Sequence, residues 1–133
     1  TSFVISSYLD GKEYLSPSNV KEMSDYGIDI ESHTVSHGRL SELSYEQQLS
    51  ELKNSKEALE KLTGKTVISI AYPEGKYNDD TTKAVLDAGY SMGFTIDRGY
   101  VGIGDNAAKL NRMCVDYTYK PYNIEKILNQ IAK

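Results

Sequence analysis

His33 and His37, the two histidines of the chain, lie four residues apart in Glu31-Ser32-His33-Thr34-Val35-Ser36-His37. A neutral imidazole binds Zn²⁺ or a similar divalent ion through one ring nitrogen. A spacing of four lets two rings meet at one ion if the segment forms a helical turn. The same spacing also fits two polar residues in a Ser/Thr-rich loop, so the neighbouring elements must decide between the two. Cys114, the single cysteine, sits in Arg112-Met113-Cys114-Val115 and reads as a small buried hydrophobe rather than a nucleophile.

The elements that would position the histidines follow from hydrophobic period and capping signals. Phe3-Val4-Ile5 reads as a buried strand. Ser16-Pro17 starts a helix whose stripe is Val20, Met23 and Tyr26, and Gly27 ends it. Ile28 to Glu31 is the next strand and leads directly into the histidines. Ser44-Tyr45-Glu46-Gln47 has capping-box form, and Leu49, Leu52, Leu59 and Leu62 keep a helical period up to Gly64. Thr66 to Ala71 returns to strand character and is broken by Tyr72-Pro73-Glu74-Gly75. Asn78 caps a helix that runs to Ala88, and a strand follows over Met92 to Ile96. Asp97 to Lys109 reads as a long Gly-rich loop, Met113 to Tyr117 as a last strand, and Asn123 as the cap of a terminal helix through Ile124, Ile127, Leu128 and Ile131. Strand and helix alternate, which implies an α/β fold with a parallel sheet. Ligands in such folds sit at the carboxyl ends of the strands. The histidine loop, the Pro73 turn and the Gly-rich loop all fall on that rim.

Composition narrows the class. The chain has 133 residues, 39% hydrophobic and 26% charged, enough for a single domain spanning 1–133. The net charge of -4 and the absence of a basic cluster argue against nucleic acid as a partner. No apolar run reaches membrane-spanning length.

His33-Thr34-Val35-Ser36-His37 resembles the H-[ST]-x-x-H metal motif of the polysaccharide deacetylases, the NodB-homology carbohydrate esterases, and Ala71-Tyr72-Pro73-Glu74-Gly75 resembles their R-x-P-x-G motif. Thr1-Ser2-Phe3-Val4 is similar to the strand that follows the family's first motif, and Leu110-Asn111-Arg112 to an L-x-R element of one subgroup. The resemblance implies a partial or distorted (β/α) barrel and a metal-dependent hydrolase that removes N- or O-acetyl groups from an acetylated polysaccharide or oligosaccharide. It carries over His33 and His37 as metal ligands, with Zn²⁺ expected and Co²⁺ as the alternative, and Thr34 and Arg112 as loop supports. In the turn, Pro73 shapes the backbone, the Glu74 N–H helps to hold the oxyanion, and Gly75 completes the motif. From the substrate class alone, an extracellular or cell-envelope location is expected.

The family's Asp-Asp strand, source of the general base and the third metal ligand, has no counterpart and would lie before Thr1. The chain therefore reads as a C-terminal portion, inactive alone, with a sheet edge open to pairing with a second copy. Ala71 replaces the motif's usual Arg, a replacement tolerated in a subgroup, and the family's late histidine is missing. Asp29, Glu31, Asp79, Asp97 and Asp105 are the internal acids that could substitute, Glu31 foremost because strand alternation puts it on the side of Asp29 and His33. Two rival readings stand: a non-catalytic carbohydrate-binding or scaffolding module, and a different metallohydrolase with the same loop.

Overall fold

The computed structural model describes residues 1–115 and 117–131 of the chain, and for Gln130 and Ile131 the backbone only. Five strands, β1 (Ser2–Val4), β2 (Ile30–Ser32), β3 (Ser69–Ala71), β4 (Met92–Arg98) and β5 (Leu110–Arg112), form one parallel sheet in the order β1-β2-β3-β4-β5. Helices α1 (Pro17–Asp25), α2 (Tyr45–Thr63) and α3 (Asp79–Asp87) connect the first four strands, and α4 (Pro121–Ile131) follows the last. A doubly wound sheet reverses its strand order, whereas a barrel adds each strand beside the previous one. The sequential order here is that of a barrel segment.

Alternation along the strands sorts side chains onto two faces. Val4, Ile30, Ile70 and Tyr72 join Val20, Leu52, Leu59 and Val85 of the helices in the core. The opposite face carries Phe3, Glu31, Ser69, Met92 and Phe94, which line a cavity of about 380 Å³ together with Asp29 and Arg112. This face is strongly concave. In a flat sheet β1 and β5 would lie roughly 19 Å apart, four strand spacings. Instead the Arg112 guanidinium sits 6.0 Å from the Phe3 ring centre, and the Phe3 and Phe94 rings meet edge to face at 5.9 Å. The fold is therefore an α/β partial barrel, with β1 and β5 at the two ends of the strand order.

Local signals explain the helix ends. Ser16, Ser44 and Asn78 each accept the N–H of the residue three positions on, whose side chain returns a bond to the cap, so all three helices begin with a capping box. Gly64 ends α2 in the left-handed conformation, at φ 72°. Leu52 and Leu59 of α2 are fully buried and Leu49 and Leu62 pack at the core margin, while Gln48 and Ser55 occupy interior positions of the same stripe.

Several sequence expectations shift. Tyr26 is not on the buried stripe of α1: it is the C-cap, 91% exposed, and Ser24 turns inward instead. β3 begins at Ser69 rather than Thr66, because the N–H groups of Ile68 and Ser69 bond to the Glu31 carboxylate (3.0 and 2.6 Å). β4 runs on to Arg98, so the loop starts two residues later than Asp97. The last strand is Leu110–Arg112, not Met113–Tyr117, and Asp116 of that expected strand lies outside the described residues. Cys114, beyond the strand, is exposed rather than buried. α4 starts at Pro121, and Asn123 lies inside it, accepting the Lys120 N–H at 2.8 Å.

Candidate metal centre and active-site rim

β2 ends at Ser32, and the next residues form an irregular loop rather than the helical turn that a spacing of four suggests. Thr34 and His37 both adopt left-handed backbone, at φ 67° and 61°. This turn brings the two rings together, with centres 4.8 Å apart and planes at 64°. Thr34 is fully buried, and its Oγ1 accepts the His37 N–H at 3.0 Å. Among the described residues four non-glycine positions have positive φ, and three of them, Thr34, His37 and Glu74, lie in the two motif loops. Each such residue costs about 1–3 kcal/mol and persists only where its surroundings over-determine it.

Those surroundings are hydrogen bonds from both sides. The N–H groups of Val35 and Ser36 donate to Glu51 Oε2 at 3.0 and 2.9 Å, and the Ser36 hydroxyl to Oε1 at 3.0 Å. The Thr34 N–H donates to Ser32 Oγ at 3.2 Å, which is paired with Ser55 Oγ at 2.8 Å. On the other flank, the Ser6 and Ser7 N–H groups donate to the Thr34 and Val35 carbonyls, both at 3.1 Å. Glu51, Ser32 and Ser55 were not singled out from the sequence. The available signal was an acid and a serine four residues apart on α2, flanking the buried Leu52.

The histidine loop and the Pro73 turn are joined directly. His33 Nδ1 lies 2.7 Å from the Ala71 carbonyl oxygen, so Nδ1–H is the donor and Nε2 is left with its lone pair free. Holding one imidazole nitrogen on a carbonyl is how metal-binding histidines are oriented. Burial lowers the His33 pKa from its ordinary value; the Ala71 bond opposes this, and the charges of His37 and Arg112 add to the lowering. The ring thus stays neutral, the form a metal needs.

Pro73–Gly75 is a single 3₁₀ turn with Pro73 buried and Glu74 left-handed at φ 52°. The Gly75 N–H closes it on the Tyr72 carbonyl at 2.9 Å. Tyr72 anchors it from below: it is fully buried, its hydroxyl donates to the Ala108 carbonyl at 2.5 Å, and burial raises its pKa. A Cβ on Gly93 would lie 2.1 Å from that hydroxyl, which explains a glycine near the start of β4. The Glu74 side chain points outward and takes the Arg39 Nε–H at 2.9 Å, a second tie between the two loops. Arg112 donates Nε–H to the Thr95 carbonyl at 2.7 Å, a brace between β4 and β5.

The internal acids do not approach the histidines. Glu31 faces the concave side as alternation requires, but it is 5% exposed and its Oε2 is committed to β3. Asp97 accepts from the Tyr77 hydroxyl at 3.2 Å, Asp105 from the Gly102 N–H at 2.7 Å, Asp79 opens α3, and Asp29 lies beside Thr1. Among the described residues no group of three His, Cys, Asp or Glu side chains could hold a metal ion. The donor chemistry of His33 and His37 fits a divalent ion as two of its ligands.

Known proteins match this chain both in sequence and in fold. The family model for polysaccharide deacetylase matches residues 1–93. The Bacillus subtilis (strain 168) protein YxkH, whose name places it provisionally among the polysaccharide deacetylases, is 36% identical over 115 residues, 86% of this chain and 41% of its own. The structure of the Streptococcus pyogenes deacetylase PplD in complex with acetate superimposes with a TM-score of 0.89 at 31% identity, over 93% of this chain and 56% of that one. A polysaccharide deacetylase from Bacillus cereus gives a TM-score of 0.84 at 34% identity, over 93% and 40%. The chain belongs to the polysaccharide deacetylase family. It spans about two-fifths of the length of the curated relative it matches.

Proposed function

We propose that this chain carries the metal-binding and acetyl-binding rim of a hydrolase that removes acetyl groups from an acetylated polysaccharide, acting outside the cell or at its envelope. The observation that supports this most is the His33 Nδ1 bond to the Ala71 carbonyl, which leaves Nε2 free and couples the histidine loop to the Pro73 turn. His33 and His37 would hold a divalent ion, with Zn²⁺ the first candidate and Co²⁺ the second. When bound, such an ion polarises an acyl oxygen and lowers the pKa of water. The protein's own part is positioning. Thr34 and the Ala71 carbonyl fix the two imidazoles, and the Glu74 N–H of the Pro73 turn would serve as an oxyanion donor. Gly75 permits the left-handed exit from that turn.

Among the described residues no carboxylate joins the two histidines in a metal-holding group, and this reading assigns the general base to a segment outside these residues. Acetate release from chitooligosaccharide by this chain and by a form extended upstream, both supplied with Zn²⁺, tests the reading. The extended form should be faster by about 10²–10⁴-fold, the usual worth of a general base. Equal rates would place the base within the 133 residues. The same lack of a third ligand favours a second reading, a carbohydrate-binding or scaffolding module without chemistry. Binding of the oligosaccharide by the extended form with no acetate release would favour it. The edges of β1 and β5 are where a second copy would pair, and sedimentation of the chain at two concentrations reports on that.

A further inference from the structure

We propose that Glu51 is a positioning residue that sets the placement of the His33 and His37 rings, by clamping the backbone between them. This rests on the reading of those rings as metal ligands.

The peptide units of residues 34–36 connect the two histidines, and they are gripped by opposite sets of partners. Of their carbonyls, those of Thr34 and Val35 face Ser6 and Ser7 in the turn after β1. Their N–H groups face α2: that of Thr34 reaches Ser32 Oγ, itself paired with Ser55, while those of Val35 and Ser36 converge on Glu51 Oε2. Two successive N–H groups aimed at one point form an anion nest, and here the anion is supplied by the protein. Glu51 and Ser55 are one helical turn apart, so a single face of α2 takes two consecutive N–H groups of the loop directly, through Glu51, and holds the acceptor of a third, Ser32 Oγ, through Ser55. The second carboxylate oxygen is used on the Ser36 hydroxyl. The ion pairs found among the described residues do not include Glu51. Its charge is directed at the loop backbone instead. The loop has left-handed residues at Thr34 and His37, on either side of the clamped amides, so releasing the clamp frees both to relax and carries the rings apart.

The test uses the whole chain with Glu51→Ala, Glu51→Gln and, as a control of equal or greater destabilisation on the same helix, Leu59→Ala. Three quantities are read at a temperature where each variant is folded by circular dichroism: Zn²⁺ affinity by titration calorimetry, the nitrogen shifts and inter-ring contact of the imidazoles by NMR without metal, and exchange of the Val35 and Ser36 amides. Loss of a group that orients metal ligands typically costs about 10–100-fold in metal affinity, and that is the loss expected for Glu51→Ala. The inter-ring contact and the amide protection should disappear with it. Glu51→Gln keeps a carbonyl oxygen for the two N–H groups and should stay within about tenfold of wild type, since charge-assisted bonds are only moderately stronger than neutral ones. Leu59→Ala should leave the ring signals unchanged. Wild-type ring signals and amide protection in Glu51→Ala, or Glu51→Gln as impaired as Glu51→Ala, would overturn the clamp. If the wild-type chain binds no Zn²⁺ or binds it as well with His33→Ala, the metal reading fails separately, and the metal-free NMR and exchange data still decide the clamp.

Discussion

Gly75→Ala should be costly for two separable reasons. Gly75 sits at φ +65°, where an L-residue other than glycine is disfavoured by about 1–2 kcal/mol. The added Cβ would also lie 2.2 Å from Ile96 Cγ1, 2.8 Å from Cδ1 and 3.1 Å from Cβ. Overpacking of this kind costs about 1–3 kcal/mol. Ile96 is 61% exposed, so its outer atoms can swing away, but its Cβ is fixed to β4 and cannot. The total expected is about 2–5 kcal/mol, read as the shift in urea midpoint at constant m-value. Ile96→Ala removes Cγ1 and Cδ1 and should by itself cost little, being a surface truncation. The double variant should recover about 1–2 kcal/mol of the loss in Gly75→Ala, the part due to the outer atoms, and keep the backbone part. A Gly75→Ala shift below about 0.5 kcal/mol, or strict additivity in the cycle, would refute the reasoning that the turn is held against β4 at this point.

Other expectations follow from the same geometry. Glu31→Ala should destabilise by about 2–4 kcal/mol, because it leaves the Ile68 and Ser69 N–H groups without their acceptor, while Zn²⁺ affinity of the folded fraction stays unchanged; lost affinity at full folding would make Glu31 a ligand. His33 has a folded pKa below its ordinary 6.5, so the unfolded state binds the proton more readily and stability falls as pH drops below 6.5 through the folded value. Urea midpoints at pH 7.5 and pH 5.5 should therefore differ more in wild type than in His33→Asn, and equal differences would contradict the lowered pKa. Glu74→Ala removes the Arg39 tie but keeps the main chain, and should change turnover of the upstream-extended protein by less than about tenfold; a larger loss with metal affinity intact would give the side chain a role in the reaction.

The sequence made the fold legible wherever a local signal dictates local geometry. Ser44 and Gln47, Asn78 and Thr81, and Gly64 each announce a helix end that the structure realises. The parallel strands were legible as an alternation, though not in their bounds: β3 is shortened by a carboxylate from the neighbouring strand, and the last strand falls at Leu110–Arg112, ahead of the segment expected for it. Tyr26 shows the limit of periodicity: it continues the stripe of α1 by spacing, but the helix ends before it and the side chain turns to solvent. The two histidines were visible by type and spacing. Their meeting was not, because it depends on left-handed backbone at Thr34 and His37 rather than on helical pitch. Glu51 was hidden for a similar reason, since its contacts are to N–H groups fifteen and sixteen residues earlier in a loop of no regular period.

The central claim is that His33 and His37 together hold a divalent ion, and Zn²⁺ titration of the wild-type chain, His33→Ala and His37→Ala at pH 7.5 tests it most directly. Wild type should bind one equivalent, weakly because no third ligand joins the two histidines among the described residues. Each single variant should lose at least about tenfold in affinity while remaining folded by circular dichroism. Equal binding by wild type and both variants would contradict the assignment.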